Sequence, residues 1–107
     1  MNSLSSLNPY VAAGARELER LVRGAGGNVR FTSTLRSYGE QAQLYAGRAG
    51  NPYPVAVPGT SKHEQGLAFD AVITPASWQV LAGAWWESIG GRWGGRFHRY
   101  DPVHFEA

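Results

Sequence analysis

Apolar and polar positions recur with two different periods along this chain, and each period predicts a different kind of element. Near the start, apolar residues recur every three or four positions, which is the spacing of a helix that buries one face. The residues of this stripe are Val11, Ala15, Leu18 and Val22. Asn8 can cap the helix with Pro9 at its first position, and the glycines at positions 24, 26 and 27 end it.

The following segment predicts a strand, a short helix and a long loop. Residues 29–34 predict a strand, and the run from Ser37 to Glu40 forms a capping box that opens a helix through about Ala46. Residues 47–60 contain repeated glycine and proline and predict a loop. Loops of this length in compact domains are often functional, and this one leads directly to the first histidine of the chain.

Residues 66–73 alternate in the manner of a half-buried strand. One predicted face is apolar and contains Leu67, Phe69, Ala71 and Ile73. The other face carries Asp70 among small residues, with Gly66 and Ala68 before it and Val72 after it. This second face therefore has room for a metal ion and a substrate beside the carboxylate.

A third helix is predicted to begin at Thr74–Pro75 and to end at Gly90–Gly91. Its apolar stripe is expected to contain Trp78, Leu81, Trp85 and Ile89. The helical spacing predicts that the tryptophans of this helix belong to the core rather than to a substrate platform.

The elements follow the order helix, strand, helix, strand, helix and short terminal strands joined by glycines. This order predicts an α+β fold with a small antiparallel sheet and about three helices. With 107 residues, the chain is expected to form a single domain, residues 1–107, with a modest core.

Two short runs hold the candidate chemistry, with His63 and Asp70 in the first and Asp101 and His104 in the second. Two imidazoles and a carboxylate match the three protein ligands of a catalytic zinc site, whose fourth position is left to water. A second carboxylate close to that water would act as a general base. A β-turn at Asp101–Pro102 would bring Asp101 near His104, so that one of the two is a ligand while the other addresses the water.

With these residues in view, the chain resembles the M15 zinc peptidases of peptidoglycan. That family includes D-Ala-D-Ala carboxypeptidases and dipeptidases and phage L-alanyl-D-glutamate endopeptidases, and the hedgehog signalling domain is similar in fold. The resemblance covers about residues 29–106 and rests on the two runs, on an upstream Ser-x-x-Arg-Ser segment and on a Trp-Gly-Gly run that most resembles the endolysin-like branch. The matching residues are Ser33, Arg36, Ser37, Ser61, His63, Gly66, Ala68, Asp70, Trp93, Gly94, Gly95, Asp101 and His104.

Carried over to these positions, the resemblance implies a fold similar to hedgehog and the D-Ala-D-Ala peptidases, with a bound Zn²⁺ ion. The implied zinc ligands are His63, Asp70 and His104. Asp101 takes the place of the catalytic acidic residue, for which some members have Glu. Arg36 matches the arginine that helps to polarise the scissile carbonyl or to bind substrate, and Ser61 matches a serine near the substrate.

The implied function is zinc-dependent hydrolysis of a peptide bond in the stem peptides of bacterial peptidoglycan. The Trp-Gly-Gly run favours an L-alanyl-D-glutamate endopeptidase of the lysin type, and a D-Ala-D-Ala carboxypeptidase or dipeptidase is the alternative with the same chemistry. A noncatalytic zinc-stabilised binding module is an alternative of another class, which the carboxylate of Asp101 disfavours. The chain is expected to act as a monomer at the bacterial cell wall, in the periplasm or outside the cell.

Five other residues are rivals for parts of this chemistry. His98 is an alternative ligand, although the arginines near it disfavour a cation, and Glu87 and Glu106 are rival general bases. Trp93 could line a groove, but core packing is the preferred role. Tyr53 could contact substrate or anchor its own loop.

Composition excludes several other classes. Cysteine is absent, so a disulfide framework, a thiol nucleophile and a cysteine zinc finger are excluded. The net charge of +2 mildly favours an anionic polymer such as the cell wall, and no basic stripe with stacking aromatics predicts nucleic-acid binding. No stretch predicts a membrane span, and the first residues lack the pattern of a signal peptide. The chain is therefore expected either to be phage-encoded and released from the cytoplasm or to have lost a leader.

Overall fold

A computed structural model describes residues 3–107, and these residues form three α-helices and one four-stranded antiparallel sheet. The predicted α+β class, with about three helices and a small antiparallel sheet, is confirmed. The elements are α1 (Pro9–Gly24), β1 (Asn28–Ser33), α2 (Tyr38–Ala46), β2 (Ala68–Thr74), α3 (Ser77–Ser88), β3 (Arg92–Trp93) and β4 (His104–Glu106). Short 3₁₀ turns lie at Leu4–Ser6, Arg48–Gly50, Lys62–Gln65 and Gly94–Arg96.

The strands lie in the order β1-β2-β4-β3, so β2 is paired on both edges. The register places Asp70 of β2 opposite His104 of β4, and a shift between Phe31 and Ser33 places Ser33 of β1 opposite Asp70 on the other edge. Directly opposed residues of an antiparallel pair point to the same face of the sheet. The register therefore sets the Asp70 carboxylate beside an imidazole.

The two faces of the sheet have different contents because side chains alternate along each strand. Phe69 and Phe105 lie on the core face with stacked rings whose centroids are 5.1 Å apart, and the Trp86 ring meets Phe69 edge-on. Asp70 follows Phe69 and His104 precedes Phe105, so both point to the opposite face. Each strand thus contributes one residue to the core and its neighbour to the polar face.

The first helix begins and ends as predicted. The Asn8 side chain accepts a hydrogen bond from the Tyr10 amide, Pro9 is the first helical residue, and the helix ends at Gly24. The predicted stripe is buried and includes Val11, Ala15, Leu18 and Val22. This face packs against β1 and α3.

The capping box of α2 is also confirmed. The Ser37 hydroxyl accepts from the Glu40 amide at 3.1 Å, and the Glu40 carboxylate accepts from the Ser37 amide at 2.9 Å. Residues 47–60 are a loop that contains the Arg48–Gly50 turn. Gln41 on α2 anchors this loop, because its side-chain amide donates to the Ala56 carbonyl at 2.9 Å.

The buried face predicted for α3 was wrong by about one position. Leu81 and Ile89 are 64% and 53% exposed, and Trp78 and Trp85 are half-buried. The residues that face the core are Ala82, Gly83 and Trp86. The sequence pattern was ambiguous because α3 is apolar on most sides, and close packing chose the stripe in which the small residues Ala82 and Gly83 accompany Trp86. None of the helices within residues 3–107 is both long and apolar enough to cross a membrane.

Gly83 allows α3 to approach the sheet closely enough to cover Trp93. A methyl group at Gly83 would overlap the Trp93 indole. We therefore expect Gly83→Ala to destabilise the protein by about 1–3 kcal/mol, although alanine is the better helix former. Urea unfolding of both variants would measure this change. The control is Gly39→Ala in α2, where only the Ser37 hydroxyl, at 3.9 Å, lies near the added methyl. This control should keep or slightly raise the stability, and equal effects of the two substitutions would contradict the packing argument.

Candidate metal centre

The structure brings His63, Asp70 and His104 together at one end of the polar face. One ligand atom from each lies within 4.8 Å of the other two. The Asp70 Oδ1 atom is 3.2 Å from His63 Nε2 and 3.3 Å from His104 Nδ1. The spacing of the two sequence runs anticipated this convergence.

His63 reaches the cluster through a tightly specified turn. The Ser61 hydroxyl accepts from the His63 amide, and the Glu64 carboxylate accepts from the Ser61 amide, so a capping box opens the Lys62–Gln65 turn. Gly66 ends the turn with φ of +70°, a left-handed conformation that favours glycine. The chain then enters β2 with the His63 side chain folded back toward Asp70.

The imidazoles are oriented by the nitrogens that face away from Asp70. His63 Nδ1 lies 2.9 Å from the Thr34 carbonyl, and His104 Nε2 lies 2.8 Å from Glu106 Oε1. Both partners accept hydrogen bonds, so a proton on each of these nitrogens leaves the opposite nitrogen, which faces Asp70, free to bind a metal ion. A hydrogen bond on the nitrogen opposite the ligating one is typical of metal-ligating histidines.

The arrangement fits a metal ion with nitrogen and oxygen ligands. Two imidazole lone pairs and a carboxylate oxygen face one another, and such a set of acceptors requires a cation or a proton between them. In the metal-free protein, burial lowers the pKa of His104, but the hydrogen bond to Asp70 and the Asp70 charge outweigh it and raise this pKa above its usual value. Burial opposes the charge of Asp70, yet its hydrogen bonds with His104 and His63 hold the pKa of this carboxyl well below its usual range.

Arg36 holds the second oxygen of Asp70. Its Nη2 donates to Asp70 Oδ2 at 3.0 Å, and the rest of the guanidinium donates to Ser33 Oγ at 2.8 Å and to Gln41 Oε1 at 3.1 Å. The Arg36 amide also donates to the His63 carbonyl. Arg36 therefore links β1, α2 and the metal-ligand cluster, and two of its five N–H groups have no acceptor among these three contacts.

Asp101 lies beside the cluster in the predicted β-turn. The His104 amide donates to the Asp101 carbonyl at 3.0 Å, which closes the turn. Within residues 3–107, the Asp101 Oδ1 atom is buried and has no hydrogen-bond partner. Burial, together with the nearby charge of Asp70, raises the pKa of Asp101 to about 6. A buried acceptor without a partner is suited to receive a proton from a bound molecule.

The Asp101 turn is held by contacts that the sequence did not reveal. Gly94 lies so close to the Asp101 carbonyl that a side chain there would overlap it, and its own carbonyl accepts from the Asp101 amide at 2.9 Å. The Pro102 carbonyl accepts from Trp93 Nε1 at 2.7 Å and from Gln79 Nε2 at 2.9 Å. No pattern in the sequence pointed to a role for Gln79. The alternation of His104 and Glu106 along one strand would have indicated that Glu106 orients His104.

The ligand cluster opens into a cleft of about 340 Å³, within the range of small-molecule sites. The cleft is lined by the cluster together with Arg36, Ser61, Lys62, Arg99, Asp101 and the exposed Tyr53. The structure thus brings to one opening the six residues to which the resemblance assigns a role, namely Arg36, Ser61, His63, Asp70, Asp101 and His104.

The rival residues lie elsewhere or are already engaged. His98 is exposed and outside the ligand cluster, and Glu87 pairs with Arg96 at 3.3 Å. Glu106 is buried and bonded to His104. Trp93 is only 4% exposed and packs in the core, which confirms the preferred interpretation.

A sequence model of the VanY family, described as D-alanyl-D-alanine carboxypeptidase, matches residues 4–96. No curated protein sequence gives a significant match to the chain.

Solved structures share the fold at low sequence identity. A vancomycin-resistance D,D-pentapeptidase VanY in complex with Zn(II) superposes with a TM-score of 0.73 at 18% identity, covering 94% of this chain and 71% of that one. The LdcB LD-carboxypeptidase gives 0.75 at 22% identity, covering 94% and 64%. The L-Ala D-Glu endopeptidase ChiX of Serratia marcescens gives 0.67 at 23% identity, covering 96% and 81%. The chain therefore spans slightly less than two thirds of LdcB and a larger share of the other two.

Proposed function

The chain belongs to the VanY family of D-alanyl-D-alanine carboxypeptidases, and we propose that it is a zinc peptidase that hydrolyses a peptide bond in the stem peptides of bacterial peptidoglycan. The observation that carries this proposal is the convergence of two oriented imidazoles and a carboxylate beside a second, unpartnered carboxylate. These are the parts required for metal-assisted hydrolysis. The proposed place of action is the bacterial cell wall.

The proposed zinc ligands are His63 Nε2, an Asp70 carboxylate oxygen and His104 Nδ1. Two features support the fit of zinc to this site. The three residues offer two nitrogens and one oxygen, and the hydrogen bonds of the opposite imidazole nitrogens to Thr34 and Glu106 would keep both ligating nitrogens free of protons. When bound, Zn²⁺ lowers the pKa of a coordinated water toward neutrality and polarises a carbonyl oxygen.

Asp101 is the proposed general base. Its buried Oδ1 atom accepts the proton of the attacking water and then returns it to the nitrogen of the departing amine. Asp101 lines the same cleft as the ligand cluster, which supports this role. The rival carboxylates are engaged by Arg96 and His104.

Arg36 and Ser61 are proposed to address the substrate. The two remaining N–H groups of Arg36 would stabilise negative charge that develops on the carbonyl oxygen, in a position held by three hydrogen bonds. Ser61 lines the cleft, where it can contact the substrate. Its main role is to keep His63 in place through the capping hydrogen bond that the Ser61 hydroxyl accepts from the His63 amide.

For the scissile bond we propose L-alanyl-D-glutamate. The Trp-Gly-Gly run before Asp101 resembles the endolysin-like branch, and an L-Ala D-Glu endopeptidase is among the solved structures that share the fold. A D,D-carboxypeptidase is the second candidate, because the matching family model carries that description.

The metal assignment predicts a simple pattern of zinc affinity. We expect His63→Ala and His104→Ala to lose zinc binding, because each removes one of three protein ligands. Glu106→Gln should weaken it by about 10- to 100-fold through the orientation of His104. Titration calorimetry of chelator-treated protein would measure these affinities. His98→Ala is the matched control and should bind zinc as the wild type does. Unchanged zinc affinity in both ligand variants would overturn the assignment.

The general-base assignment predicts loss of turnover without loss of metal. We expect Asp101→Asn to keep its zinc while kcat falls by about 10²–10⁴-fold, because the amide cannot accept the water proton. Ionised Asp101 is required, and a bound cation would lower its pKa from the raised value of about 6, so wild-type activity should persist at pH 6 and fall at a lower pH. Steady-state kinetics against pH and elemental analysis would measure both effects. Near-normal kcat in the variant would exclude Asp101, and loss of zinc would make it a ligand.

The scissile bond can be read from the products. We expect digestion of purified peptidoglycan to release fragments with a new amino-terminal D-glutamate and a new carboxyl-terminal L-alanine, which mass spectrometry identifies. Release of free D-alanine instead would establish the carboxypeptidase alternative. The Asp101→Asn variant is the control for contaminating hydrolases. Absence of any cleavage by zinc-loaded wild type would contradict the peptidase proposal.

A further inference from the structure

Two cations in the cleft are not used to hold the fold. Lys62 and Arg99 both line the opening, and within residues 3–107 neither side chain forms a hydrogen bond or an ion pair. By contrast, Arg36 has three acceptors, and Arg92 and Arg96 are paired with carboxylates. Free cations beside a reaction centre are suited to bind an anionic part of the substrate.

The segment before the Asp101 turn directs alternate residues into the cleft. Phe97, Arg99 and Asp101 line it, whereas the exposed His98 and Tyr100 do not. Phe97 also packs against the imidazole of His104, with ring centroids 5.8 Å apart. Arg99 therefore extends from the same side of the segment as the proposed general base, two residues away from it.

Both candidate substrates release a residue with the same anionic group. In D-Ala-D-Ala, the carbon bonded to the scissile nitrogen carries the terminal carboxylate. In the stem peptide, D-glutamate continues through its γ-carboxyl, so the corresponding carbon again carries a free α-carboxylate. A single cation beside the departing amine would therefore serve either bond.

We propose that Arg99 is a specificity-determining residue that binds the free α-carboxylate of the residue on the amine side of the scissile bond. This inference rests on the proposed function, since Asp101 protonates that amine and Arg99 lies on the Asp101 side of the cleft. Lys62 precedes the ligand His63 on a different segment and is the competing cation. Arginine suits the role because its planar guanidinium can form two parallel hydrogen bonds to a carboxylate.

The experiment compares two peptides that differ only in this group, an acylated peptide that ends in D-Ala-D-Ala and its C-terminal amide. An L-alanyl-γ-D-glutamyl peptide and its α-carboxamide form the second pair. For zinc-loaded wild type and for Arg99→Gln, calorimetry gives the affinity and steady-state kinetics gives kcat/KM. We expect the wild type to prefer the carboxylate by about 10- to 100-fold and the variant to lose this preference.

The controls separate this role from a structural one. Arg96→Gln removes a nearby cation outside the cleft and should keep the preference, and a general structural defect would weaken both members of a pair equally. An unchanged preference in Arg99→Gln would overturn the proposal, as would loss of the preference in Lys62→Gln instead. Preferential binding through Arg99 without hydrolysis would support this inference while contradicting the proposed peptidase activity. Hydrolysis without preference for the carboxylate would do the reverse.

Discussion

The buried carboxylate of Asp70 requires partners, because a charge removed from water is stable only when it is paired and hydrogen-bonded. Its two oxygens meet His63, His104 and Arg36 at 3.0–3.3 Å. These partners come from the turn before β2, from β4 and from the segment after β1. The cluster therefore exists only when the two edges of β2 are both paired in the correct register. Sheet formation and site formation are one event in this protein.

Strand alternation lets such a small domain hold a core and a polar site on one sheet. Phe69 and Phe105 stack beneath the sheet, while Asp70 and His104 meet above it. A slip of one residue between β2 and β4 would send a charge into the core and a phenyl ring into the cleft. The free energy of core packing therefore also maintains the geometry of the ligand cluster.

Asp101, the proposed general base, is positioned by aromatic packing rather than by a regular element. Trp93 fills the space against Gly83 of α3 and donates to the Pro102 carbonyl, while Gly94 lies against the Asp101 backbone. The Trp-Gly-Gly run thus sets the path of the turn through the sizes of its residues. The large side chain of Trp93 fills space, and the absence of a side chain at Gly94 leaves room for the Asp101 backbone. The segment that leads into this turn brings Arg99 and Asp101 into the cleft from one side.

The features that depend on neighbours in the chain could be predicted from the sequence. They are the capping residues of α1 and α2, the alternation of β2, the Asp101 turn and the spacing of His63, Asp70 and His104. The buried stripe of α3 could not be predicted in this way, because several of its stripes are apolar and the contact with Trp93 selects among them. Tertiary contacts also place the Thr34 carbonyl against His63 and the Gln79 side chain against the Asp101 turn. Most of these contacts join residues distant in sequence, and the backbone carbonyls among them leave no trace in side-chain identity, so no local pattern reveals them.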